Sequence, residues 1–162
     1  MKKNWIILLA FGFMALGFSS CSNNTAEIEW RDKNLSFFDN LKGQEGIFEI
    51  GDSINGHPGI YYKILTEGNG AHPIIGNVVK VAYEGWLYND STSFDDNDNY
   101  EFTVGRNVIE GWSLAIQSMP VGSKWRIYLP YYLGYGSTAQ KDVPAHSTLI
   151  FDIYLKKIVS EN

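Results

Sequence analysis

The stretch Val108-Ile109-Glu110-Gly111-Trp112-Ser113-Leu114-Ala115-Ile116-Gln117-Ser118-Met119 decides how the rest of the chain is read. A Gly-Trp pair opens a short helix-compatible run, and Pro120-Val121-Gly122 closes it. Taken alone, Trp112 reads first as a packing residue at a loop-helix junction, because buried aromatics usually serve packing. The functional reading is an indole laid on the floor of a pocket. The surroundings decide between the two.

Outward from this helix the pattern has period two. Ile60-Tyr61-Tyr62-Lys63-Ile64-Leu65 reads as a strand closed by the turn signal Glu67-Gly68-Asn69-Gly70. From Val78 to Leu87, Val79, Val81, Tyr83 and Leu87 share one face, with Lys80, Ala82, Glu84 and Trp86 on the other. Glu101 to Val104 reads as a further strand ended by Gly105. Ser123 to Leu129 turns Trp125, Ile127 and Leu129 inward, and Thr148 to Leu155 does the same with Leu149, Phe151, Ile153 and Leu155. The fold class expected is α+β: a curved antiparallel sheet of about five strands wrapped round one short helix. Tyr83, Trp112 and Phe151 would then meet on the concave face.

Length and charge narrow the functions. With 162 residues, 44% of them hydrophobic, the chain suits one good-sized core with additions. The formal charge is −5, and removal of Lys2 and Lys3 with the N-terminus takes it to −7. No basic run stands in the sequence, so nucleic acid is not an expected partner.

The first twenty residues read as an address label. Lys2-Lys3 precede an apolar run from Trp5 to Phe18, nearer in length to a signal segment than to a bilayer span of about 20 residues. The run ends in Phe18-Ser19-Ser20-Cys21, which resembles the bacterial lipoprotein box with phenylalanine where leucine is commoner. Cys21 is the only cysteine, so an internal disulfide is excluded; lipidation and a free thiol remain, and the box favours lipidation. The division expected is a lipoprotein signal peptide over 1–20, a tether and N-terminal helix or loop extension over 21–58, and the sheet domain over 59–162. The mature chain would be anchored at Cys21 to a membrane of the cell envelope, on the periplasmic side of the outer membrane of a Gram-negative bacterium.

Within the extension, Ser22-Asn23-Asn24-Thr25 reads as a polar tether and Ala26 to about Leu41 as a helix. Asn24 and Glu27 fit a capping box, Ile28, Leu35 and Phe38 recur near one face, and Lys42-Gly43 is a stop. Two readings stay open for this helix: a spacer or dimerising element, or a helix packed on its own domain or frayed near the membrane. Residues 44–59, with glycines at 46, 51, 56 and 59, read as loop.

The polar residues form no other familiar constellation. His57, His72 and His146 lie in different segments without paired spacing, so no zinc site is expected. Asp95, Asn97 and Asn99 alternate as in a calcium loop, yet Tyr100 stands where that loop needs glycine and Arg106 where it needs glutamate. Serines 113, 137 and 147 lack a nucleophile elbow. Neither metal nor cofactor is expected.

Six short motifs then fall in order: Val81-Ala82-Tyr83-Glu84-Gly85, Ser93-Phe94-Asp95, Val108-Ile109-Glu110-Gly111-Trp112, Met119-Pro120-Val121-Gly122, Leu133-Gly134-Tyr135-Gly136, and Val143-Pro144-Ala145-His146-Ser147-Thr148-Leu149-Ile150-Phe151-Asp152. From roughly Gly59 to Val159 this order resembles the FKBP-type peptidyl-prolyl isomerases, here in a bacterial lipoprotein form. The resemblance implies a pocket with Trp112 as floor and Tyr83, Phe94, Val108, Ile109 and Phe151 as walls. It implies a polar rim of Asp95 and Tyr135, with the tyrosine hydroxyl and the Ile109 backbone N–H binding the chain; Tyr100 would be a second wall aromatic, and Val143 a further pocket residue. Expected partners are X-Pro-containing polypeptides and ligands of the tacrolimus and rapamycin type.

Two segments depart from the family pattern. After Phe94-Asp95 stands a short acidic loop, Asp96-Asn97-Asp98-Asn99, without the arginine that usually pairs the aspartate. Ser137-Thr138-Ala139-Gln140-Lys141-Asp142 is a trimmed version of the flap. The activity implied is acceleration of X-Pro rotation in envelope proteins as a folding helper. The alternative is a module of little or no turnover that holds Pro-containing or unfolded segments.

Overall fold

Residues Leu149–Ser160 form the spine of the molecule, a strand hydrogen-bonded on both sides and buried at Leu149, Phe151, Ile153 and Leu155. The computed structural model describes residues 22–51 and 58–160. In chain order the elements are helix α1 (Ser22–Asp39), strands β1 (Phe48–Ile50), β2 (Ile60–Thr66), β3 (Val78–Leu87) and β4 (Asp95–Thr103), helix α2 (Glu110–Ser118), β5 (Lys124–Leu129), a single 3-10 turn at Tyr131–Leu133, and β6 (Leu149–Ser160). The six strands make one antiparallel sheet in the order β1-β2-β5-β6-β3-β4. The α+β expectation holds, with one strand more than the five foreseen.

The alternation of β5 and β6 is as read: Trp125, Ile127 and Leu129 join the β6 set in a core that also holds Val79, Val81 and the inner side of α2. On α2 the buried residues are Gly111, Trp112, Ala115 and Ile116, the spacing that puts one stripe against a sheet. A methyl group on Gly111 would stand 2.6 Å from Leu129 Cδ2, so the glycine is what lets the helix lie directly on β5. Pro120 and Gly122 end the run; Gly122 takes φ +89, and its N–H donates to the Leu155 carbonyl.

Three readings are corrected. The acidic run from Asp95 to Asn99 is no loop: it is the first half of β4, paired with β3 from Gly85↔Asp95 to Val78↔Thr103. Asp and Asn are poor strand formers, and here pairing with β3 overrides that preference. Carboxylates along an outermost strand also discourage a second sheet from adding to it. Residues 48–50, read as loop, are a three-residue edge strand beside β2. Helix α1 begins at Ser22, so residues 22–25, read as a tether, are helical.

Helix α1 packs on its own domain. Its docked side is Trp30, Asn34, Phe37 and Phe38, continued by Leu41, and Phe38 and Leu41 close over Tyr61 of β2. Ile28, placed on the apolar face by sequence, is exposed. No helix among the described residues is long and apolar enough to cross a membrane. The signal segment, Cys21 and His57 lie outside the described residues.

Candidate functional site

The concave side of the sheet and the N-terminal end of α2 enclose a cavity of about 320 Å³. Strand β3 contributes Tyr83, β4 contributes Asp95 and Tyr100, and β6 contributes Phe151. The approach to α2 contributes Asn107, Val108 and Ile109, α2 itself Trp112, and the turn after β5 Tyr135.

Trp112 is 4% exposed and lies beneath three rings set nearly perpendicular to it. Tyr83 meets it at 4.9 Å and 82°, Phe151 at 5.3 Å and 89°, and Tyr100 at 6.2 Å and 79°. Edge-to-face pairs at these separations contribute about 0.5–1.5 kcal/mol each beyond area burial. The rings thus pack against one another through their edges and faces. The indole N–H is buried and makes no hydrogen bond among the described residues. The meeting of Tyr83, Trp112 and Phe151 expected from strand alternation is present.

The polar side of the cavity is a tyrosine-carboxylate pair. Tyr83 donates a 2.8 Å hydrogen bond from its hydroxyl to Asp95 Oδ2. Burial first, then that bond and the charge of Asp95, push the Tyr83 phenol far above the usual tyrosine range. Burial and the same carboxylate also push Tyr135 up. Both hydroxyls remain neutral donors at physiological pH. No described cation forms an ion pair with Asp95; the arginine nearest in kind, Arg126, is held bidentate by Asp152 on the outer face.

Of the residues named from sequence, Tyr83, Asp95, Tyr100, Val108, Ile109, Trp112, Tyr135 and Phe151 share the cavity. Phe94 is not among the residues lining the cavity and meets Phe151 edge-on at 5.6 Å and 78°. Val143 is buried in the core and does not line the cavity. Asn107 was missed. It lines the cavity in a left-handed conformation, φ +57, which asparagine tolerates better than most residues, and no local sequence signal marks it as a pocket residue. No described group of His, Cys, Asp and Glu is arranged to hold a metal ion.

The fold is thus a curved antiparallel sheet packed on one helix, with an aromatic cavity between them. The model of the FKBP-type peptidyl-prolyl cis-trans isomerases matches residues 70–156, and the chain belongs to that family. It is 40% identical over 104 residues to the FKBP-type isomerase FkpA of Aeromonas hydrophila, covering 62% of this chain and 38% of that protein. It is 36% identical over 138 residues to the outer membrane protein MIP of Legionella longbeachae, covering 82% of this chain and 55% of the relative. The chain thus spans about half or less of the length of these curated relatives. Among solved structures, a peptidyl-prolyl isomerase from Pseudomonas syringae superposes with TM-score 0.73 at 28% identity, covering 88% of this chain and all of the other.

Proposed function

We propose that the chain catalyses cis-trans rotation of X-Pro bonds in polypeptides of the cell envelope. The observation that carries the proposal is the Trp112 floor enclosed by Tyr83, Tyr100 and Phe151. An X-Pro amide resists rotation by about 18–20 kcal/mol because resonance holds it planar. Twisting removes the resonance and with it part of the carbonyl's negative charge. An apolar aromatic box withholds water from the planar, polar amide, so its relative benefit grows toward the twisted transition state. The pyrrolidine ring would rest on Trp112, with Phe151 and Ile109 at its sides and Phe94 as a support. The Ile109 N–H and the Tyr135 hydroxyl would hold the flanking backbone, and ligands of the tacrolimus and rapamycin type would fill the same space.

The test is a peptide isomerisation assay on wild type and Trp112→Ala. Wild type accelerates exchange, the variant loses most of that activity, and tacrolimus inhibits the wild type; equal activity in the two proteins would rule out this cavity. An aggregation-suppression assay run beside it separates catalysis from simple holding of unfolded segments.

The address is a second part of the proposal. Lys2-Lys3, the apolar run to Phe18 and the Phe18-Ser19-Ser20-Cys21 box support cleavage before Cys21 and acylation there, with the domain tethered on the periplasmic side of the outer membrane. Mass spectrometry of protein from membranes reads this directly. An unmodified Cys21 with residues 1–20 retained would end it.

A further inference from the structure

Helix α1 presents three side chains, Glu27, Trp30 and Asn34, to one loop beside the cavity. They stand three and four residues apart, hence on one helical face. Glu27 Oε1 lies 3.6 Å from His146 Nδ1, and the Trp30 indole N–H donates to Ser147 Oγ at 3.1 Å. Asn34 does most. Its Oδ1 accepts the Thr148 N–H at 2.7 Å, its own carbonyl accepts the Thr148 hydroxyl at 3.1 Å, and its Nδ2 donates to the Trp30 carbonyl at 2.8 Å.

The gripped loop holds a cavity wall in turn. Ser147 Oγ donates to the Pro144 carbonyl at 2.7 Å, and the His146 N–H donates to the Gly136 carbonyl at 2.9 Å. His146 does this in a left-handed conformation, φ +62, with its ring against Tyr131 at 5.1 Å. Gly136 closes back on the Tyr131 carbonyl at 2.8 Å, and its neighbour Tyr135 lines the cavity. On the other side of the grip, Thr148 leads straight into the start of β6, which carries Phe151.

We propose that Asn34 is a positioning residue of the aromatic cavity, setting the Tyr135 wall through Thr148 and His146. This rests on the isomerase reading of that cavity. Seating α1 does not require a polar residue here, since Phe38 and Leu41 already close over Tyr61. Asn34 is fully buried, and an apolar side chain in its place would leave the Thr148 N–H without a partner. What the amide adds is a fixed register between helix and loop. An extension outside the matched family segment, 70–156, thereby becomes part of the pocket's scaffold.

The experiment compares the full chain with Asn34→Ala and with Phe38→Leu, a variant that loosens α1 away from the loop. Two readouts are taken at a temperature where all are folded: kcat and KM for an Ala-Pro peptide, and hydrogen exchange at the Gly136 and His146 amides. Asn34→Ala lowers kcat/KM about tenfold, less than the hundredfold that a 1 Å misplacement costs, with KM moving more than kcat. The same variant loses protection at both amides, while Phe38→Leu lowers the melting temperature and moves neither readout. If Asn34→Ala does not fold, Asn34→Ser, whose shorter side chain withdraws the acceptor from the Thr148 N–H, takes its place. Unchanged kcat/KM or unchanged exchange in the loop overturns the proposal. Inactive wild type would end the isomerase reading instead, and loop exchange alone would then decide whether Asn34 positions Tyr135.

Discussion

The Tyr83 hydroxyl, 2.8 Å from Asp95 Oδ2, ties β3 to the edge strand β4 within the cavity lining. Ionising that phenol would bury a charge and set it against the carboxylate, which is why its pKa is raised. Burial raises Tyr61, Tyr62, Tyr128 and Tyr135 as well, and Tyr132, bonded to the Pro58 carbonyl, is pushed up to about 12. An unfolded chain releases these protons near pH 10, about the ordinary tyrosine value, while the folded one keeps them. Above that pH the unfolded state binds fewer protons, so stability is fully present below about pH 10 and falls as pH rises toward the folded values. Urea unfolding at a series of alkaline pH values measures the fall. Tyr83→Phe removes one titrating group and makes the slope shallower; an unchanged slope would mean that Tyr83 ionises as freely folded as unfolded.

Asp95 brings a charge to the cavity that no described cation neutralises, and Asp96 and Asp98 follow it along the exposed part of β4. A substrate with lysine beside the X-Pro unit gains from that field, and one with glutamate loses. For partly exposed charges the gap is about 0.2–1 kcal/mol, or up to roughly fivefold in kcat/KM. Asp95→Asn narrows it, and so does high salt. Equal rates for Lys-flanked and Glu-flanked peptides at low salt would remove Asp95 from specificity.

On the outer face, Arg126 reaches Asp152 through Nε at 2.6 Å and a second guanidinium nitrogen at 3.0 Å, and its guanidinium stands 5.6 Å from the Trp86 ring. The pair is asymmetric: the Asp152 side chain is 11% exposed and that of Arg126 40%. Removing the arginine strands a nearly buried carboxylate, with Lys124 only at 3.9 Å. Removing the carboxylate frees a cation that water already reaches. Arg126→Met therefore destabilises more than Asp152→Asn, by about 1 kcal/mol in chemical denaturation. The reverse order would mean that Arg126, not Asp152, carries the desolvation cost.

The sequence made the cavity legible where residues obey one period. Val79, Val81 and Leu87 on β3, and the β5 and β6 sets, point inward because alternation leaves no other choice. Trp112 was ambiguous alone and resolved by its neighbours. What stayed hidden was decided by partners outside the local pattern. Asp95 to Asn99 are strand only because β3 offers an edge, and the pairing shifts between Val81 and Tyr83, so no simple alternation runs through it. On α1, weighing apolar residues favoured Ile28, which is exposed, over Asn34, which is buried because Thr148 lies opposite. Hydrogen-bond partners more than a hundred residues away leave no mark on periodicity.

Gly85 shows how a motif glycine acquires a physical reason. It sits in β3 between the bodies of two rings: an added methyl would stand 2.6 Å from Phe151 Cε1, 2.8 Å from its Cδ1 and 3.0 Å from Phe94 Cζ. Propensity favours replacing it, because glycine weakens a strand interior. Packing opposes replacement, since Phe151 is pinned by Trp112 on one side and Phe94 on the other. Overpacking of this kind costs about 1–3 kcal/mol, more than the span of strand propensity. Gly85→Ala is thus expected to destabilise the fold and, by displacing Phe151, to weaken tacrolimus binding and peptide turnover together. Urea denaturation and a binding titration on the same sample check both. A variant that gains stability and keeps full affinity would show that Phe151 has room to move, and that the cavity is softer than its perpendicular rings imply.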